Sequence, residues 1–536
     1  MMNDETRSHT PSRRRMLQMV GVAAAGIGLP LATHGSAAAD RFHTAPVPGA
    51  APGDLLSETA LMNDVEKMTS FGWRRPGSPA LRDAARWLGQ TFEQAGLQTN
   101  TEAWDFDVYY PSVWHARVIG AADSVASGSG SSSVAAPALP PLPWETNSYP
   151  MWYTGAGQVE AEVVNVGAGT AHDFDRVDVR GKIVMVEALY LMNVINTDGM
   201  LGAYESAVAH GAVGYIRTAD APNNLTRLMH GNGIDKSTFR QKEEASIPGL
   251  VLGVDDFNAI RTALGSGPVT MSLEIQTENP PFGGSRTVTG GSLGPGTHEL
   301  RAVMEDVVGV LPGVSDEIVL IGAHYDSTYG GAMDNGTGVA GMLALMRHYA
   351  AKARSERPRT LVFLAAGGHD CGNFDLSHFM RTHQEDMLPR VIAFAWLDHL
   401  AAAGSIHVTQ TSIDIPTGLD EIKGVLGVRN PVLMNLILQM CVQNGVIPPI
   451  PVPIKSSLAR VPDFVPSFDI TTAHSRYHTI EDTIDRIPPG SLRQMTLVLR
   501  DVVDALHTVD SDLIRNAQSD GGGSVTPARG EVRGCC

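Results

Sequence analysis

Beyond residue 300 the chain alternates short apolar runs with helical spacing. The stretches "DEIVLIGAHYD", "RTLVFLAAGGHD" and "VIAFAWLDHL" are nearly unbroken hydrophobic runs, each ending in polar, ligand-type residues. Between them Val339, Met342, Leu343 and Met346 recur at helical intervals. Continuous apolar strands alternating with helices predict an α/β fold, a mainly parallel mixed sheet covered by helices. Sites in such sheets form at the carboxyl ends of the strands, which is where the polar residues gather here.

Towards the N-terminus the pattern differs. Leu61 to Asp105 reads as a long amphipathic helix leading into a strand, with Ala84, Ala85, Leu88 and Phe92 on one face and Gly96 ending the run. A Gly/Ser tract running into prolines, "AADSVASGSGSSSVAAPALPPLP", reads as a linker or exposed loop over residues 121–143. From about Ala161 to Gln276, "AEVVNVG", "GKIVMVEA", "AYESAVAHGAVGYIRT" and "IPGLVLGVDDFNAI" make a compact α+β unit with no chemical cluster of its own. The strings "DVRGKIVMVE", "HGAVGYI" and "IPGLVL" resemble the protease-associated domain inserted into several secreted peptidases. That resemblance implies a module that shapes access to a neighbouring site. The expected organisation is a first catalytic segment over 40–120, the linker, the insert over 144–284, the main catalytic domain over 285–512 and a disordered tail over 513–536.

Residues 1–39 read as an export signal. "SRRRMLQ" precedes the uncharged "MVGVAAAGIGLPLAT" and the small-residue "GSAAAD", the order of basic region, apolar region and cleavage site, with the cut near Ala39. The adjacent arginines resemble a twin-arginine signal, which carries proteins out already folded. The mature protein is expected in the periplasm or outside the cell, and no other stretch is long and apolar enough to span a bilayer. A net charge of -17 argues against nucleic acid or an anionic membrane as partner. Four cysteines do not make a disulfide framework in 536 residues. Cys371 lies beside the motif discussed below, Cys441 lies in an apolar helix pattern, and Cys535 and Cys536 end a Gly-rich tail.

His324 and Asp326 stand two apart at a strand end and so project to one face. Alone, that pair is also an ordinary polar strand terminus. "GGAMDNGTGVAGMLALM" then places Asp334 just before a helix, where a carboxylate can cap the helix or face a metal. Asp370 and Asp398 follow the second and third apolar runs, and His478 follows Tyr477 in "SRYHTIEDT". Two imidazoles and three carboxylates suit zinc, with cobalt or manganese as substitutes. The strings "IVLIGAHYDS", "GAMDNGTGVAGMLAL", "LD" and "YHTIEDT" resemble the M28 family of metallopeptidases, which includes bacterial aminopeptidases and glutamate carboxypeptidases. The resemblance covers roughly Leu61 to Asp105 and Leu300 to Val509. It implies two zinc ions, one held by His324 and Asp398 and the other by Asp370 and His478, with Asp334 bridging both. It further implies that Asp326 orients His324 and that the Tyr477 phenol hydrogen-bonds the developing oxyanion.

One motif departs from the family. Where its members carry a Glu-Glu pair, base then ligand, "GGHDCGN" supplies His369 and Asp370. Trp396 stands where the family often has Asn, His399 directly follows Asp398, and "SSLARVPDF" lacks the usual Ser-Asp-His string. Three readings stand. Neutral His369 is the general base, an unperturbed imidazole pKa of about 6.5 suiting proton transfer and nearby cations lowering it further, which weakens it as a base. Alternatively His369 swings in as a metal ligand, or hydrolysis is lost and the cleft binds a ligand or partner. Crowded carboxylates and imidazoles repel without a cation, which favours a working centre. The expected activity is hydrolysis of a peptide, amino-acid amide or other small amide by a bridging water. The alternatives are hydrolysis of more reactive esters or carbamates, and a non-catalytic metal-containing binding protein.

Overall fold

The three apolar runs form the middle of an eight-stranded mixed sheet in the computed structural model. The model describes residues 56–121 and 147–519, apart from residues 108, 110, 188–196, 229–233, 236–239, 242–246, 278–286, 290–296, 300, 372–373, 409, 453–455 and 473. The segment read as an export signal, nearly all of that read as a linker, and residues 520–536, with Cys535 and Cys536, lie outside the described residues.

Strands Ile318–His324, Thr360–Ala366 and Val391–Leu397 are buried at every position, which is why their sequences show no alternation. Ile318–His324 runs parallel to both neighbours, and Ser467–Thr472 continues the parallel set beyond Val391–Leu397. Both margins turn antiparallel. Arg301–Leu311 and Gln98–Asp107 lie on one side, and Lys423–Leu426 reverses direction on the other before Ile450–Val452. Helices Glu58–Ser70, Gly338–Ala350 and Pro489–Leu506 pack on one another, while Pro79–Gln94 lies on the first antiparallel margin. The expected α/β class is what forms.

Three details depart from expectation. The single long helix is two, Glu58–Ser70 and Pro79–Gln94, each N-capped by a serine, Ser57 and Ser78. Gly72 in the left-handed region breaks the chain between them. Ala84, Ala85, Leu88 and Phe92 all face the core from the second helix. A seven-stranded second sheet takes in Pro111–Ala121, which pairs along Val269–Thr277, and Ser148–Pro150, which pairs with Gly249–Leu252. The first crossing between sheets therefore falls between Asp107 and Pro111, ahead of the linker. Helix Ser511–Ser519 also runs into the stretch read as tail. Ile514 is buried there, its carbonyl accepts from Asn430, and Arg515 pairs with Glu317.

Both sheets belong to one compact unit, residues 50–536. Aromatic rings join them: Trp73 packs 5.9 Å from Tyr149 and 4.7 Å from Tyr329, and Tyr153 lies 6.4 Å from Phe374. Among the described residues no helix is long and apolar enough to cross a membrane.

Arg74, in the break between the two helices, fastens the loop after the central strand. Its buried guanidinium donates to the carbonyls of Met68, Tyr325, Gly330 and Gly331 at 2.7–3.1 Å. Burial lowers its pKa to about 10, still well above neutrality, with Asp326 and Asp482 opposing the shift. Replacing it with Met leaves those carbonyls without a donor, at about 1–3 kcal/mol per buried orphan. Arg74→Met should therefore lower stability by at least about 3 kcal/mol in denaturant unfolding. Arg74→Lys should recover only part of this, because an ammonium cannot reproduce the planar fork.

Candidate metal centre

Asp-Asn-Gly-Thr-Gly, residues 334–338, ties the loop after the central strand to the end of its neighbour. Met333 N and Asp334 N donate to the two carboxylate oxygens of Asp482 at 2.7 and 3.0 Å. Asn335 donates to Leu397 O at 2.8 Å, and its Oδ1 accepts from Gly338 N at 2.9 Å and His399 N at 3.2 Å. Thr337 Oγ1 donates to Met333 O and accepts from Leu400 N. A Cβ at Gly338 would collide with Asn335 Oδ1 and Leu397 O, so only glycine lets the turn close this tightly.

The turn brings imidazoles and carboxylates into direct contact. His324 Nε2 lies 3.2 Å from both Asp334 Oδ1 and Asp398 Oδ1. His399 Nε2 lies 3.0 Å from the same two oxygens. On the other side His478 Nε2 lies 3.1 Å from Asp334 Oδ2 and 3.4 Å from Asp370 Oδ1. Asp334 thus offers one oxygen to each side, as a bridging carboxylate would. All six side chains are buried.

The opposite ring nitrogens decide what these contacts mean. Nδ1 of His324, His399 and His478 faces the carbonyls of Asp326, Thr472 and Leu228 at 3.2, 3.3 and 3.0 Å. An Nδ1–H that donates to a carbonyl leaves Nε2 of a neutral ring as a lone pair. Lone pairs then face carboxylate oxygens, and both Asp334 oxygens and Asp370 Oδ1 are buried without a hydrogen-bond donor. Acceptors at such distances require a cation between them, or a second proton on each ring. Burial disfavours charging these rings, yet Asp398 and Asp334 push His399 up to about 10, and Asp370 with Asp334 pushes His478 up to about 9. A tetrahedral zinc with ligands at about 2.0–2.1 Å has ligand–ligand edges of roughly 3.3 Å. The donor spacing fits a metal, and the residues are of the right chemical kind.

The remaining sequence-derived residues surround this cluster. The Asp326 carboxylate accepts from His369 N at 3.2 Å and Asp370 N at 2.9 Å, while its carbonyl faces His324. It therefore aligns the loop carrying His369 and Asp370 as well as the His324 imidazole. The Tyr477 ring stacks on His478 at 3.7 Å and packs 5.1 Å from His399. His369 belongs to none of the three candidate ligand groups among the described residues. Its ring stacks on His324 at 4.2 Å, with Trp396 5.7 Å away. Its Nδ1 lies 3.2 Å from the buried Asp375 Oδ2, and its Nε2 lies 3.5 Å from Ser457 Oγ. Burial and His324 oppose charging this ring, but Asp375 outweighs them and raises its proton affinity.

Four contributors escaped the sequence reading. Asp375 faces His369, Asp482 holds the amides of Met333 and Asp334, and His399 sits in a candidate ligand group. The fourth is a loop of the second sheet, where Arg227 donates to Tyr477 O at 2.6 Å and Ser475 O at 3.0 Å, while Leu228 N donates to His478 O at 3.1 Å. His399 and His478 both adopt the left-handed region, at φ 46° and 55°, a conformation that bulky residues keep only where surroundings enforce it.

Residues 306–428 match Peptidase family M28. A glutamate carboxypeptidase 2 homolog of Caenorhabditis briggsae is 25% identical over 303 residues, covering 48% of this chain and 39% of the relative. The chain thus spans about two fifths of that curated relative's length. Two solved structures share the fold. The M28 peptidase precursor of Shewanella amazonensis gives a TM-score of 0.61 at 19% identity, over 84% of this chain and 93% of the other. BSAP, a zinc aminopeptidase from Bacillus subtilis, gives 0.59 at 15% identity, over 85% and 97%. The matched segment, which carries His324, Asp334, Asp370 and Asp398, is a peptidase family M28 domain, and the two solved structures share the chain's fold.

Proposed function

We propose that the chain is an exported amide hydrolase of the two-zinc type, acting on a peptide, amino-acid amide or other small amide. The observation that carries this reading is the shared Asp334, with one oxygen towards His324 and His399 and the other towards His478. Charge supports two ions: the candidate ligand groups together hold four carboxylates, Asp326, Asp334, Asp370 and Asp398, which two divalent cations balance. His324 and Asp398 would hold one ion, Asp370 and His478 the other, and Asp334 would serve both. When bound, zinc would supply Lewis acidity and bring the pKa of a water near neutrality.

The protein's own groups would do the rest. His369 is the proposed general base, with Asp375 fixing its Nδ1–H and leaving Nε2 as the proton acceptor. Tyr477, braced on His478, would hydrogen-bond the oxyanion. Trp396 backs His324 and His369, keeping water from behind the base. The second sheet is read as a protease-associated insert that closes over the centre from the Leu228 side.

Protein purified without chelator should contain about two zinc equivalents. Asp334→Ala should empty both positions, whereas Asp398→Ala and His478→Ala should each release mainly one. Full metal in the Asp334 variant would refute the bridge.

His369→Ala should lower turnover on aminoacyl-anilide substrates by on the order of a hundredfold or more, with metal content unchanged. Asp375→Asn should lower turnover in the same direction, again with metal retained, because it weakens the orientation of the base. Loss of metal in His369→Ala would make His369 a ligand, and undiminished turnover would remove it from the chemistry.

A further inference from the structure

We infer that His399 is a protein donor to one of the two ions, so that His324, Asp334, Asp398 and His399 enclose that ion and the open coordination position belongs to the other. This rests on the two-ion reading above and assigns the two positions different jobs. His399 Nε2 stands 3.0 Å from Asp334 Oδ1 and 3.0 Å from Asp398 Oδ1, slightly closer to both than His324 does. Its other nitrogen faces Thr472 O at 3.3 Å and Thr471 Oγ1 at 3.2 Å, the arrangement by which metal-binding histidines fix their tautomer. Its amide donates to Asn335 Oδ1, the same oxygen that closes the turn carrying Asp334. The backbone at His399 is held left-handed, and that is what turns the side chain following Asp398 back towards the Asp398 carboxylate. Asp334 supplies a second, independent sign of a missing ligand, because both its oxygens are buried without a hydrogen-bond donor.

The consequence follows from coordination number. Zinc with four protein donors is saturated, as in structural sites, whereas zinc with three keeps a position for chemistry. The group Asp334, Asp370 and His478 has three residues. The reacting groups would therefore meet on the Asp370–His478 side, next to the Tyr477 ring that stacks on His478. The enclosed ion would then serve mainly to hold Asp334, Asp398 and the strand ends in place.

The full chain, stripped with chelator and titrated with zinc and with cobalt, tests this by metal stoichiometry, affinity and cobalt absorption in the presence of azide. Wild type should bind two ions, with azide perturbing the spectrum of only one. Asp370→Ala should retain one ion whose spectrum ignores azide. His399→Gln should bind one of its ions at least about tenfold more weakly, with the other unchanged. Its melting temperature in excess chelator should match wild type. If His399→Gln binds both ions at wild-type affinity, His399 is not a donor and the two-ion reading stands without it. A wild type that binds a single ion, indifferent to His399→Gln, makes His399 a fixed imidazolium and overturns the inference. A wild type that binds no metal ends both readings. Should His399→Gln fail to fold, the azide response of wild type still decides, since perturbation of both cobalt ions would overturn the enclosed site.

Discussion

Everything around the cluster serves to keep one carboxylate, Asp334, shared between two sets of donors. Its two oxygens point to opposite groups of imidazoles, and its backbone is gripped from both sides. Asp482 holds the amides of Met333 and Asp334, Asn335 reaches to the end of the neighbouring strand, and Arg74 clamps Gly330 and Gly331. Burial and the Asp334 charge push Asp482 up to about 7, so even the supporting carboxylate feels the excess of negative charge. A cluster this buried is costly unless cations compensate it. The rigidity of its frame is what keeps the donors together rather than letting them swing into solvent.

The second sheet takes part in that frame. Leu228 meets His478 twice, accepting from its Nδ1 and donating to its carbonyl, while Arg227 grips the carbonyls of Tyr477 and Ser475. The loop bearing His478 therefore takes its position from residues about 250 places earlier in the chain. The second sheet thus reaches the ring nitrogen of His478 that faces away from Asp334. The position of His478 and the seating of the second sheet are consequently linked through the Leu228 contacts.

What could be read from the sequence was whatever local pattern encodes. Buried strands announce themselves as unbroken apolar runs, and their polar ends gave His324, Asp370 and Asp398, which the structure does bring together. The Asp-Asn-Gly-Thr-Gly turn was legible for the same reason, its glycines being demanded by close backbone approach. The split of the first helix was less visible, because "WRRPGS" interrupts a pattern that is amphipathic on both sides. Strand Pro111–Ala121 looked like part of the first sheet because only its distant partner, Val269–Thr277, shows otherwise. Contacts such as Leu228 to His478 use only backbone atoms of Leu228, so nothing in that residue's side chain marks them. His399 was in plain view beside Asp398, but its direction depends on a left-handed backbone that periodicity does not reveal.

His369, the proposed base, is best understood together with Asp375, whose carboxylate faces its Nδ1. A neutral imidazole hydrogen-bonded to an ionised carboxylate carries one negative charge between them, the same as a single glutamate. In this chain the carboxylate that His369 faces is the buried Asp375, 3.2 Å from its Nδ1. An imidazole needs flat surfaces as well as a partner. His324 on one side and Trp396 nearby provide them, and Trp396 fits because Gly322 on the adjacent strand leaves its ring room, a Cβ there coming within 3.0 Å of it. Under the proposed reading of His369 as base, Asp375 would set its tautomer and Trp396 would be the wall beside it.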